Sequence, residues 1–134
     1  MNTKYLVLII GIVVIVAIGG YYAYNSSIDK APPTIKSGDP SINATNVPVD
    51  KVIKITFNEP IEKGSLFNQI TVKQVNGSAQ QISKSINGSV LTIKLSNGTY
   101  TNGATYSIII PAKSITDLKG NEIQTKTYKF TVVS

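Results

Sequence analysis

The amino-acid sequence predicts an all-β, two-layer sandwich behind a single N-terminal transmembrane helix. Three observations carry this. Positions 5–24, YLVLIIGIVVIVAIGGYYAY, hold twenty consecutive residues without a charge. Beyond them, short segments alternate apolar and polar residues, the period of a half-buried strand. Turn dipeptides separate those segments, including four Asn-Gly pairs.

A helix of twenty residues rises about 30 Å, the thickness of a bilayer's hydrocarbon core. Lys4 and the amino terminus flank it on one side, so the positive-inside tendency places that end in the cytoplasm and the C-terminal part outside. Tyr21, Tyr22 and Tyr24 at the other end have the character of an interfacial aromatic belt. A second reading is a cleaved secretory signal, since Ala17-Ile18-Gly19 offers small residues for cutting. The length of the apolar run and the single Lys before it favour a retained anchor. No Cys follows the segment to take a lipid. The organisation expected is therefore an anchor over 1–24, a linker over 25–33 ending in two prolines, and a β domain over 34–134. Nine linker residues reach at most about 30 Å, which keeps the domain near the membrane.

Composition narrows the chemistry. There is no Cys, so an exported domain must stand on its core without disulfides. There is also no His and no Trp. A Ser-His-Asp or Cys-His nucleophile cannot be assembled, and the commonest metal ligands are missing. Residues 31–134 carry 11 Lys against 6 acids, a net +5 that attracts acidic surfaces. The lysines are dispersed, with no Arg among them, which does not make a nucleic-acid site.

The strands follow in order. Ile53, Ile55 and Phe57 alternate with Lys54, Thr56 and Asn58, and Ile70 and Val72 with Thr71 and Lys73. Leu91, Ile93 and Leu95 alternate with Thr92 and Lys94. Tyr106, Ile108 and Ile110 repeat the pattern, as do Tyr128, Phe130 and Val132. Weaker strands fit residues 34–37 and 80–86; in the latter, Lys84 shares a face with Ile82 and Ile86, the mark of an edge strand. Asn76-Gly77 and Asn87-Gly88 bracket that strand, which predicts a meander over residues 70–95. One helical turn is expected within residues 62–68. About seven short strands spaced by turns predict an immunoglobulin-like sandwich. Asn102-Gly103 just before Tyr106 suits a tyrosine corner, a phenol bonded to backbone a few residues upstream.

Several of these motifs occur together in a known order. Asp39-Pro40 is followed by Asn43-Ala44-Thr45-Asn46-Val47-Pro48-Val49, then a strand over residues 51–57 closed by Asn58-Glu59-Pro60-Ile61. Gly103-Ala104-Thr105-Tyr106, Ile115-Thr116-Asp117-Leu118-Lys119-Gly120-Asn121 and a last strand over residues 128–132 complete the order. The arrangement resembles the SbsA-type bacterial Ig-like domain family of S-layer proteins, over residues 33–133. The resemblance implies a module of prokaryotic cell-surface proteins that serves as spacer, stalk or adhesive unit. A single copy departs from the tandem habit of such modules and points to packing, adhesion or association with partners.

Candidate chemistry is sparse. Asp117, Asn121 and Glu122 place oxygen ligands in one loop, but calcium takes six or more and Lys119 lies among them. A turn capped by the Asp side chain accounts for the same residues. Glu59 and Glu62 are close carboxylates with no aromatic platform beside them for a sugar ring. N-x-Ser/Thr sequons stand at Asn25, Asn43, Asn76, Asn87 and Asn97, and three of them coincide with Asn-Gly turns. No cofactor site and no catalyst are expected. The function expected is a membrane-anchored, extracytoplasmic structural, adhesive or protein-interaction module, its partner an envelope protein or surface polymer. The alternative is a carbohydrate- or ligand-binding module, for which Tyr100 is the best candidate for an exposed aromatic.

Overall fold

A computed structural model describes residues 30–134; the expected membrane segment, the first part of the linker and the sequon at Asn25 lie outside the described residues. Ten strands form in the unit spanning Ala31–Ser134. They are β1 (Ile35–Asp39), β2 (Ala44–Val47), β3 (Ile53–Phe57), β4 (Ile61–Lys63), β5 (Thr71–Gln74), β6 (Ile82–Asn87), β7 (Val90–Leu95), β8 (Thr105–Ile110), β9 (Ile115–Asp117) and β10 (Lys126–Val132). Two four-stranded sheets have the orders β1-β3-β7-β6 and β2-β10-β8-β5, and β4 pairs with β9 in a two-stranded ribbon. Among the described residues, no helix is long and apolar enough to cross a membrane.

The alternating residues explain the two layers. In β3, Ile53 and Ile55 are fully buried and Phe57 nearly so, while Lys54 faces solvent. Leu91 and Ile93 of β7 meet them from the next strand, in register at Ile55↔Leu91 and Ile53↔Ile93. The second sheet supplies Val72, Tyr106, Ile108, Ile110, Tyr128, Phe130 and Val132 to the same core. Side chains from the two inner faces thus share one core between the sheets, as in a β-sandwich.

The strand count exceeds the seven expected. The additional elements β2, β4 and β9 are only three or four residues long. Runs that short show too little alternation to stand out from loop sequence. The expected meander is also corrected. β5 does not lie beside β6: it pairs with β8 in the other sheet, and only β6 and β7 form a hairpin. Asn76, at φ 62°, reverses the chain so that 78–80 folds back on β5, with Gln80 N–H donating to the Val72 carbonyl at 2.8 Å. The chain then crosses to the first sheet. The expected edge strand is β6, at the rim of that sheet. Its hairpin loop is Gly88-Ser89, where Gly88 adopts φ 62°, a conformation that costs glycine little. The helical turn is a 3-10 turn at Phe67–Gln69, after β4 takes up Ile61–Lys63.

The crossover from β7 to β8 carries the tyrosine corner. The Tyr106 hydroxyl accepts the Thr101 N–H at 2.9 Å, five residues upstream. Tyr100 packs edge-on against Tyr106 and Phe130, with ring centroids 4.8 and 5.3 Å apart. Pairs of this geometry stabilise beyond their buried area. The Tyr100 hydroxyl differs from that of Tyr106: it is buried without a hydrogen-bond partner among the described residues. Burial, with Tyr106 beside it, pushes its pKa up to about 12.

Two predictions follow from this core. Ile55→Lys places an unpaired ammonium where no solvent reaches and is expected to unfold the domain, since domain stability is only about 5–15 kcal/mol; near-UV circular dichroism like that of the parent would refute the face assignment. Tyr106→Phe removes the corner bond and is expected to cost about 1 kcal/mol, a Tm drop of roughly 4–8 °C. Tyr100→Phe removes only an unpartnered hydroxyl and is expected to leave Tm unchanged or raise it; equal losses in both variants would contradict the distinction.

Candidate interaction surface

The sites named from the sequence fall at separate places on the sandwich. Asp117 ends β9 and is 1 % exposed. Its Oδ1 accepts the main-chain N–H groups of Lys119 at 2.8 Å and Asn121 at 2.9 Å, and its Oδ2 accepts the Asn121 side-chain amide at 2.8 Å. The Gly120 N–H closes the turn onto the Asp117 carbonyl at 3.2 Å, with Gly120 at φ 85°. Each oxygen that calcium would use on Asp117 thus already receives a local donor, and Asn121 offers Asp117 its nitrogen. Among the described residues there is no group of three or more metal-ligating side chains. Burial pushes the Asp117 carboxyl up, but the Asn121 side-chain bond, the two main-chain bonds and the Lys119 charge outweigh it, leaving the pKa below the usual aspartate value.

Glu62 is exposed on β4, in register with Thr116, and Glu59 is half-buried in the turn before it. Asn43, Asn76, Asn87 and Asn97 are all exposed. Tyr100 is not available to a sugar. It is 2 % exposed, because its ring fills the space between the β7–β8 crossover and β10. The same holds for every aromatic residue of the domain: Phe57, Phe67, Tyr106, Tyr128 and Phe130 are also buried.

Outward the domain offers mostly polar side chains, with scattered exposed apolar residues such as Ile42, Val52 and Leu118, and strand edges. The outer face of the first sheet aligns Lys54, Thr92 and Ser85 in one row and Lys94 with Ser83 in the next. On the second sheet, exposed Lys73 and Lys129 flank Ser107, which is itself buried between them. Of the edges, β5 is covered by residues 78–80. β6 is not covered in this way. The Gln81–Ser96 bond extends its ladder with β7, and bonding alternates from there in an antiparallel pair. Main-chain groups of Ser83, Ser85 and Asn87 therefore face β7, and those of Ile82, Lys84 and Ile86 face outward.

Lys84 sits at the middle of this edge with its side chain turned inward. Its ammonium donates to the carbonyls of Phe67 at 3.1 Å and Ile70 at 3.3 Å, and lies 5.2 Å from the Phe67 ring centroid. Lys63 approaches that ring at 5.1 Å. Partial burial holds the Lys84 pKa below the ordinary lysine value. The sequence marked β6 as an edge through Lys84; which amides point outward depends on the register with β7, which no local pattern encodes.

Residues 29–132 match the model of a family described as bacterial Ig-like domain. No curated protein matches the chain. Among solved structures, CopC from Methylosinus trichosporium OB3b is similar with a TM-score of 0.60 at 16 % identity, covering 75 % of this chain and 93 % of CopC. The N-terminal part of the bacterial S-layer protein SbsC gives 0.51 at 19 % identity, covering 83 % of this chain and 25 % of that one. Domains 1–6 of the surface layer protein SbsC give 0.51 at 20 % identity, over 83 % of this chain and 14 % of that one. The chain thus spans a quarter or less of the SbsC structures, and at these identities the likeness is one of fold.

One experiment tests the Asp117 loop. Because its folded pKa is depressed, the stability Asp117 contributes is complete above the ordinary aspartate value of about 4 and is lost as pH falls through the depressed value. Asp117→Asn is expected to lower Tm at pH 7 and to flatten the acid limb of a Tm–pH curve. Millimolar calcium is expected to leave the Tm of the parent unchanged; a clear rise would instead support a metal site at Asp117, Asn121 and Glu122.

Proposed function

The chain belongs to the bacterial Ig-like domain family, and on that premise we propose that it is a structural, adhesive or protein-interaction module of the prokaryotic cell envelope. In this reading residues 1–24 anchor it in the cytoplasmic membrane and residues 34–134 lie on the outer side, facing an envelope protein or surface polymer. Within the family, the motifs from Asp39 to Asn121 favour the SbsA type. The observation that carries the interaction reading is the division of the domain's surface: its aromatic rings are all spent in the core, while a strand edge and hydroxyl- and lysine-bearing sheet faces are left open. Such a surface suits main-chain pairing and polar contact. It does not supply the ring stacking that the carbohydrate reading required of Tyr100. The uncharged run over residues 5–24 supports the anchor. The absence of His and Cys from the sequence supports a non-enzymatic role.

Protease treatment of intact cells or spheroplasts tests the placement. The domain is expected to be shaved from outside while a cytoplasmic marker survives, and the undigested chain is expected to remain with membranes in alkaline carbonate. A chain that stays protected until lysis, or that leaves with the soluble fraction, would overturn it.

A further inference from the structure

The segment Ile82-Ser83-Lys84-Ser85-Ile86 reads the same in both directions, and it occupies an edge strand. We propose that β6 pairs antiparallel with β6 of a second copy of this chain, about a two-fold axis at Lys84, joining two four-stranded sheets into one of eight strands. This deepens the interaction-module reading and rests on it.

The phase of the strand fits the pairing. An axis at Lys84 sets Lys84 opposite its counterpart and Ile82 opposite the second copy's Ile86. These are the residues whose N–H and C=O groups face away from β7. Among the described residues, no hydrogen bond meets their main chain on that side. Pairing would therefore satisfy three outward donors and three outward acceptors from each copy, with no residue out of step. An axis midway between two residues would set outward-facing amides against inward-facing ones and bond none of them; an axis at Ser83 or Ser85 would keep the phase but would not set the palindrome against itself.

The side chains are compatible as well. Ser83 and Ser85 are exposed on the outer face, so each serine meets the other serine of the second copy with no charge between them. Ile82 and Ile86, both half-buried on the inner face, extend the apolar rim across the seam. Exposed Leu66 adjoins Phe67 in the turn that Lys84 holds. The one adverse contact is Lys84 against Lys84, since like charges directly opposite destabilise a sheet. Each ammonium, however, is held by the Phe67 and Ile70 carbonyls of its own domain, which partly offset its charge. Inward lysines on edge strands also serve to keep edges apart, and the following experiment separates the two roles.

The chain has no Cys, so introduced thiols are the only ones present. Ser83 and the second copy's Ser85 would form a non-hydrogen-bonded pair with Cα atoms about 4.5 Å apart, within disulfide reach. Two Ser83 residues would be about 8 Å apart, beyond it. Full-length chains bearing Ser83→Cys or Ser85→Cys, distinguishable by mass, are mixed in equal amounts in mild detergent and oxidised. Nearly all linked product is expected to join one variant to the other. A random mixture, in which mixed dimers make up about half, or no linked product, would overturn the proposal. Because the measurement uses purified chain, either adverse result removes this pairing and leaves the envelope placement to the protease experiment.

Discussion

The crossover from β7 to β8 is the constraint on which the sandwich depends. The chain must leave one sheet and enter the other without a disulfide to fix the gap. Three aromatic rings do this instead. Tyr100 arrives from the first sheet, Tyr106 opens β8 and Phe130 projects from β10, and Tyr106 and Phe130 stack at 5.7 Å. The Tyr106 hydroxyl then holds the Thr101 main chain, so the turn is tied to the strand it precedes. The Tyr100 N–H adds a bond to the Val49 carbonyl at 2.9 Å, which ties the β2–β3 connection to the same point. Packing and one phenol bond thus take the place of a covalent clamp.

That solution determines what the surface can be. A domain of this size has few aromatic residues, and this one buries all of them. The outer faces carry mainly Ser, Thr and Lys beside half-buried Val90 and Ile109, and the rim exposes backbone. A strand edge is a liability in a protein that must remain monomeric and a resource in one that assembles. Lys84 stands between these outcomes. Its side chain braces the 3-10 turn from inside the sandwich, while its main chain forms part of the open edge.

The two loops with the strongest local signals show how far sequence reaches. Asn102-Gly103 before Tyr106 is a spacing rule between neighbours, and the corner appears where the spacing places it. The Asp117 loop is equally local, and its donors come from residues two and four positions away. β5 and β6 show the limit. Their alternation and the turn between them are plain in the sequence, yet alternation describes one strand at a time and carries no information about its neighbour. Ile70 and Val72 are as suitable for one sheet as for the other.

By itself, then, the sequence determined the class of fold, the faces of the long strands, the corner and the edge character of β6, because each follows from contacts within a few residues or from a period of two. Tertiary structure alone decided three things. It gave β5 to the sheet of β8, because the turn at Asn76 folds 78–80 back over the side where β6 would otherwise lie. It took Tyr100 out of solvent, because its ring completes an aromatic cluster built from residues up to thirty positions apart. It set which amides of β6 face outward, because hydrogen-bond phase is a property of a strand pair and not of a strand.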